Sequence, residues 1–433
     1  MTTSAPHHSL HYTGRLGYVV AALGFVWATS TACGPEDAAT EVAEESIING
    51  GPASPATRRV QGALYRIVGG GAPQLSCGAV YIGADHQHSW ALTAAHCVSN
   101  APAGSRYAVV FGGPDLSQVA SADLIAVDAV RAHPGWTGDA ELGGDIAVLR
   151  LSRRPPAAVT PAPLATAKPT SGAVVVSGYG ADRHDIVVGA CPAGFVELVA
   201  VEGVAYCERY TDVPLQARLD VIANSACSEA AAHNNESMLC VGGSATRAVC
   251  HGDSGGPAHV NGVVVGITSY GDGLCGFGDY AAFNTIYTSV AHYRVWIDET
   301  QRALAEQALV AELNGASCAA TALATPAART AARAWAAARN FQCTLRCATG
   351  GGQALSGSAG CDIIALPRVS TLGWSVEAGG GDDLVFGSDA ADTLRGGAGA
   401  DELRGFGGDD KLYGGAGADV LDGGSGNNVL VGD

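Results

Sequence analysis

Three short stretches hold side chains that could do chemistry together: "TAAHC" over Thr93–Cys97, "DIAVLRL" over Asp145–Leu151 and "CHGDSGGP" over Cys250–Pro257. A hydroxyl is a poor nucleophile at neutral pH, so Ser254 needs a base within hydrogen-bond reach. His96 can take its proton as the bond to a substrate carbonyl forms, then return it to the leaving amine. A buried carboxylate, Asp145, would hold the imidazole in the right tautomer and stabilise its cationic form. The glycines around Ser254 let the backbone turn tightly, which points the N–H groups of Gly252 and Ser254 at a developing oxyanion. Each piece alone is bland, since a His beside a Cys is usually structural and a Gly-rich turn is usually only a turn. Together they describe acyl transfer through a serine nucleophile.

Such a site needs elements to position it. The chain has 433 residues, 47% hydrophobic and 15% charged, enough for two or three domains and a sizeable core. Its net charge of -17 argues against nucleic acid as a partner. From about Ile47 to Tyr293, short Val/Ile/Ala-rich runs such as "YAVVFG", "AVVVSGYG" and "VNGVVVGITSYG" alternate with Gly, Pro, Asn and Asp. That spacing predicts an all-β sandwich or barrel. Helical patterns follow. Val290–Leu313 contains neither Gly nor Pro, and a second helix is predicted with Thr325 as N-cap and Pro326 in its first position.

The motifs and their His, Asp, Ser order resemble the chymotrypsin/trypsin family of serine endopeptidases, over roughly Ile47 to Thr300. The resemblance implies a mainly β fold of two six-stranded antiparallel barrels with the site in the cleft between them. It implies protein or peptide substrates and no cofactor for catalysis. It also implies disulfides Cys77–Cys97, Cys227–Cys240 and Cys250–Cys275. Cys191 and Cys207 flank an insertion and are paired on proximity as a loop near the cleft.

Specificity and activation are also read through the family. The floor of the primary pocket falls on Ala248, followed by Val249; the facing wall is Ser269, Tyr270 and Gly271, and Thr285 lies lower down. A buried basic side chain would lack a counter-charge there, so small or medium apolar residues are expected before the scissile bond. Asp272 and Asp279 could restore a trypsin-like preference only by folding inward. Activation in the family frees an α-amino group that pairs with the Asp before the nucleophile, here Asp253. "YRIVGG" invites a cut at Arg66–Ile67, but Ile67 stands only 10 positions before Cys77 and Ile47 stands 30 before it. The longer spacing is the family's, so the expected cut is Ser46–Ile47, and Val60 to Ile67 is expected as a strand.

Thirteen Cys fit an oxidising compartment. Residues 1–32 read as a signal peptide with an apolar run at Leu16–Ala28, and residues 33–46 as an acidic tether. "STAC" resembles a bacterial lipobox that would put a lipid on Cys33 and tether the chain to a membrane; Ser30-x-Ala32 suits ordinary signal peptidase. The cysteine count favours the first, because twelve remain to pair without Cys33. The expected location is secreted, or on the cell surface as a lipoprotein before activation.

The domains expected are a protease of residues 47–302, a helical Cys-containing segment of 303–377, and repeats over 378–433. Cys318, Cys343, Cys347 and Cys361 suit two disulfides better than zinc in an exported chain. From Ala378 six nine-residue units approach G-G-x-G-x-D-x-U-x, with U apolar. They resemble the RTX (repeats-in-toxin) nonapeptides, which implies a parallel β-roll with Ca²⁺ between stacked turns on Asp383, Asp392, Asp401, Asp410 and Asp419. The eighth residues, Val385 through Leu430, are expected to point inward. The second repeat lacks two glycines and the sixth has Asn428 in place of Asp. The competing reading is a calcium-dependent binding or adhesion protein that keeps a protease fold.

Overall fold

In the strand Leu215–Val221 every second side chain (Leu215, Ala217, Leu219 and Val221) is buried, as expected of an antiparallel sheet with one covered face. Repeated along the chain, this pattern closes two barrels. The computed structural model describes residues 47, 50–85, 88–99, 101–201, 204–227, 236–242, 249–271, 284–315, 318–319, 321–340, 342–348 and 354–432. The expected signal peptide, Cys33, the tether, Ser46, Ala248, Asp272, Cys275 and Asp279 lie outside these residues.

The first barrel runs, strand by neighbouring strand, through Gln61–Ile67, Gln74–Ala84, Ser89–Thr93, Ala147–Leu151, Ile125–Ala132 and Arg106–Phe111. Leu64, Ala91, Val109, Phe111 and Leu149 fill it. The second runs through Leu215–Val221, Met238–Gly242, Asn284–Ser289, Val263–Gly271, Pro257–Val260 and Ala173–Gly178, which returns to Leu215–Val221. Val174, Val176, Leu239 and Tyr287 fill that one. Arg66–Ile67 is the end of a first-barrel strand held on both edges, and Gly69 and Gly70 make the following turn at φ +56° and +79°. Val60 instead closes a short helix, Pro55–Val60, whose first turn is capped by the Ser54 hydroxyl.

Between the strands Ala173–Gly178 and Leu215–Val221 the chain inserts a three-stranded sheet of its own. Val204–Tyr210 is central, flanked by Val196–Val201 and Ala181–Val188. Cys191–Cys207 ties it, while Cys77–Cys97 and Cys227–Cys240 form within the barrels. Cys250 is also disulfide-bonded.

The helix Val290–Leu313 buries Val290, Tyr293, Ile297, Thr300, Leu304, Ala305, Leu309 and Leu313, a stripe that keeps to one face by steps of three and four residues. It shares one core with Trp90 and Val148 of the first barrel and with Ile363, Leu384 and Phe386 further on. The second helix, Pro326–Ala338, takes its N-cap bond from Thr325 as expected. Cys318–Cys347 and Cys343–Cys361 then staple the start of a parallel roll.

The roll has two five-stranded sheets, and successive strands in a sheet pair Leu384 with Glu402 and Glu402 with Val420. That offset of two nonapeptides is one complete turn. The ladders begin at Thr344 and Ala354, within the segment the sequence assigns to a connector. Val385, Leu394, Leu403 and Leu412 are fully buried. Leu430, on a strand paired to one neighbour, is half exposed instead of pointing inward as expected.

Candidate active site

His96 follows the buried strand Ser89–Thr93 and opens a four-residue helical turn, next to the disulfide of Cys97. Asp145 precedes the strand Ala147–Leu151 and is 1% exposed. Both of its oxygens are bonded there. Asp145 Oδ2 accepts from His96 Nδ1 at 2.8 Å and from the Ser269 hydroxyl at 2.5 Å, and Oδ1 accepts from the His96 backbone N–H at 2.9 Å. Burial works to raise this carboxyl, but the bonds and charge of His96, with the Ser269 hydroxyl, outweigh it and hold it below the ordinary value. An ionised Asp145 fixes His96 with Nδ1 protonated, which leaves Nε2 as the ring's basic atom. The Asp145 loop is itself held from behind. Thr288 Oγ1 donates to Asp145 O at 2.8 Å, and the Gly144 N–H donates to Tyr293 Oη at 2.8 Å.

The loop of Ser254 belongs to the second barrel and is fastened to the first. The Gly78 N–H donates to Ser254 O at 2.7 Å, and Cys97 Sγ lies 3.9 Å from the same oxygen. Ser254 thus sits against the disulfide adjoining His96. Close packing explains the glycines: a Cβ on Gly256 would stand 2.6 Å from Ser177 O, and Gly255 adopts φ +81°. Gly252 has φ +96°, and among the described residues neither its N–H nor that of Ser254 has an acceptor. Free N–H groups on a serine-bearing loop match the donors that an oxyanion requires.

Asp253 is fully buried, with Oδ1 on the Gly180 N–H at 2.8 Å and Oδ2 on the Cys250 N–H at 2.9 Å. Burial nevertheless pushes its carboxyl up to about 6, the two backbone bonds notwithstanding. Ile47 is 1% exposed in the core of the second barrel, among Val174, Val176 and Leu215, and Gly51–Pro52 continues as a strand on Leu215–Gln216. Of the expected pocket, Thr285 is buried and pairs with Gly271 across the sheet, and Val249 is partly buried. The hydroxyl of Ser269, the first residue of the expected wall, donates to Asp145.

Sequence reasoning missed a further group. Glu208, on the central strand of the inserted sheet, is fully buried against His251 and Tyr210. Its only signal is a glutamate two positions from a tyrosine in an otherwise unremarked insertion.

The roll presents a second set of buried acids. Asp383, Asp401, Asp410 and Asp419 each use Oδ1 to accept a backbone N–H from the preceding turn, at 2.7–3.0 Å. Their Oδ2 atoms are buried without a partner. Burial pushes Asp383 up to about 8 and Asp410 to about 6. Stacked hard oxygens with idle lone pairs fit Ca²⁺. Asp392 stands apart: Trp374 N–H and Ser388 satisfy both its oxygens.

The family model described as "Trypsin" matches residues 47–188 and 192–297, together more than half of the chain. The RTX calcium-binding nonapeptide repeat matches 375–403 and 404–433. Human kallikrein-5 is 28% identical over 274 residues, covering 62% of this chain and 80% of its own length. Dog chymotrypsin-like elastase family member 1 is 31% identical over 235 residues, covering 52% of this chain and 80% of its own length. With the paired barrels and the His96–Asp145 geometry, these matches lead to one conclusion: the chain belongs to the trypsin family and is a serine endopeptidase that carries calcium-binding repeats at its C-terminal end.

Proposed function

We propose that Ser254 attacks the peptide carbonyl while His96 Nε2 takes its proton, and that the Gly252 and Ser254 N–H groups receive the oxyanion. His96 then protonates the leaving amine, and water repeats the sequence on the acyl-enzyme. The observation that carries this reading is the complete satisfaction of buried Asp145 by His96 and Ser269 beside the loop that bears Ser254. Buried Thr285 and the absence of an acid at Ala248 support cleavage after small or medium apolar residues.

Activation is read at Ser46–Ile47. Two features support it: the buried side chain of Ile47, and its φ of +43°, a costly conformation for a β-branched residue that a free N-terminus would not have to hold. The freed α-amino group would supply the cation that Asp253 lacks. A small-residue pocket would accept Ser46, which makes the step self-catalysed. The disulfides and repeats suit an exported protein, and a lipid on Cys33 would hold it at a membrane until that cut. Calcium held by Asp383, Asp401, Asp410 and Asp419 would neutralise the stacked carboxylates of the roll and takes no part in the chemistry.

An organophosphorus probe should label the chain that starts at Ile47 and leave its Ser254→Ala variant unlabelled. Peptides with Ala, Val, Leu, Phe or Arg before the bond then rank the pocket. Labelling that survives Ser254→Ala, or fastest cleavage after Arg, overturns the corresponding part.

A further inference from the structure

The inserted sheet reaches the loop that carries the oxyanion donors at three points. The Ala181 N–H donates to His251 O at 2.9 Å. His251 Nδ1 donates to Glu208 Oε1 at 2.6 Å, and the Tyr210 hydroxyl donates to Glu208 Oε2 at 2.8 Å. The Tyr210 ring covers Gly252, where a Cβ would stand 3.2 Å from Tyr210 Cε1 and 3.0 Å from Gly180 Cα. Gly252 is therefore held between the start of the insertion and its last strand, one residue beyond the imidazole that Glu208 grips.

Glu208 is built for this. A carboxylate with no exposure needs a cation or several donors to remain charged, and it has one imidazole and one phenol. The sheet around it is fastened on both sides. Cys207, its neighbour, is closed to Cys191, and Arg209 forks onto Asp182 across the two strands at 3.0 and 2.7 Å. His251 is about half exposed, while Glu208, the acid it meets, is fully buried.

We propose that Glu208 is a positioning residue for catalysis: through His251 and Tyr210 it holds the Gly252 N–H in the direction that receives the oxyanion. This rests on Ser254 being the nucleophile. The insertion is then a brace for the catalytic loop.

Among the described residues, the charged groups acting on His251 are Glu208 from the inserted strand and Asp253 from its own loop. The hydrogen bond to Glu208 raises the His251 pKa, burial opposes it, and the charges of Glu208 and Asp253 add to the rise. A His raised in this way keeps the brace intact at low pH and loses it as pH climbs through the raised value. The brace therefore gives turnover an alkaline limb of its own.

The test compares the chain starting at Ile47 with its Glu208→Gln variant. It uses kcat and KM on a peptide ester from pH 5 to 10, active-site titration, and the NMR titration of His251. Glu208→Gln should lower kcat roughly tenfold with KM within twofold, less than the roughly hundredfold cost of losing an oxyanion donor outright. The alkaline limb and the His251 titration should move together to lower pH. If that variant does not fold, His251→Gln should give the same fall in kcat and abolish the limb. Wild-type kcat with an unmoved limb, in whichever variant folds, overturns the positioning role alone. An inert wild-type chain overturns the catalytic reading and this one with it.

Discussion

The barrels and the roll both bury aspartates, and they treat them differently. In the cleft, Asp145 has three donors from two residues, and both of its oxygens are bonded. In the roll, four carboxylates have one oxygen on a backbone N–H and the other idle in the interior. A buried carboxylate whose partners all come from the chain is a finished device, able to hold a charge while something else reacts. One with an idle buried oxygen costs folding free energy until a cation arrives. Asp253 stands between the two: both oxygens are bonded, yet only by neutral N–H groups, and the carboxyl is still pushed up to about 6.

The strongest way to break this comparison is Asp145→Asn. The amide keeps the shape but cannot accept in the same way from both His96 N–H groups and the Ser269 hydroxyl, so His96 loses its tautomer. Turnover at pH 7 should fall about 10⁴-fold while the thermal midpoint moves little. A loss of only tenfold would mean that Asp145 is one buried acid among others and not a finished device.

Asp253 offers the next test. A carboxyl raised in the folded state gives stability that is full below its unfolded value near 4 and is lost as pH rises through about 6. In the Ser254→Ala chain with the Ser46–Ile47 bond intact, stability should therefore drop by roughly 2 kcal/mol between pH 4 and pH 7 on this account. In the same chain starting at Ile47, the α-amino cation should reverse the sign, so that stability rises with pH over that range. Urea unfolding of the two forms at both pH values reads the difference. Equal slopes would separate Asp253 from activation.

Much of this was legible in the sequence because it is coded by short spacing. The triad motifs and the Thr325 cap each lie within a few residues and the roll repeats every nine, and the structure forms Cys77–Cys97 and Cys191–Cys207, 20 and 16 positions apart, as expected. What was hidden depends on contacts between distant segments. Ser269 meets Asp145 across 124 positions, and His251 meets Glu208 across 43. Neither pair carries a local pattern. The first turns of the roll were hidden for a different reason. There the unit over 357–365 keeps Gly357, Gly360, Asp362 and Ile364, but Asp362 stands 21 positions before Asp383 instead of a multiple of nine, so the period is broken, and Asp362 is satisfied by Arg346 at 2.7 Å and by Ser358.

That substitution of side chains for a cation points to the smallest and most discriminating effect. Asn428, in the last repeat, shows what an amide retains: its Oδ1 still accepts the Asp410 N–H at 2.9 Å, so the stacking bond survives without the second oxygen. Asp410→Asn should do the same one turn earlier, keeping the bond to Asp392 N–H and replacing the idle oxygen with NH₂. Calcium affinity of the full chain, measured by calorimetric titration after chelation, should fall roughly tenfold, since it follows the number of charged ligands. Asp392→Asn should change it by less than about twofold, because Ser388 already holds the oxygen that would be lost. Equal losses at the two positions would mean that Ser388 gives way to the metal. Idle oxygens would then no longer mark the ligands, and the line between finished and waiting carboxylates would have to be drawn by the repeat pattern instead.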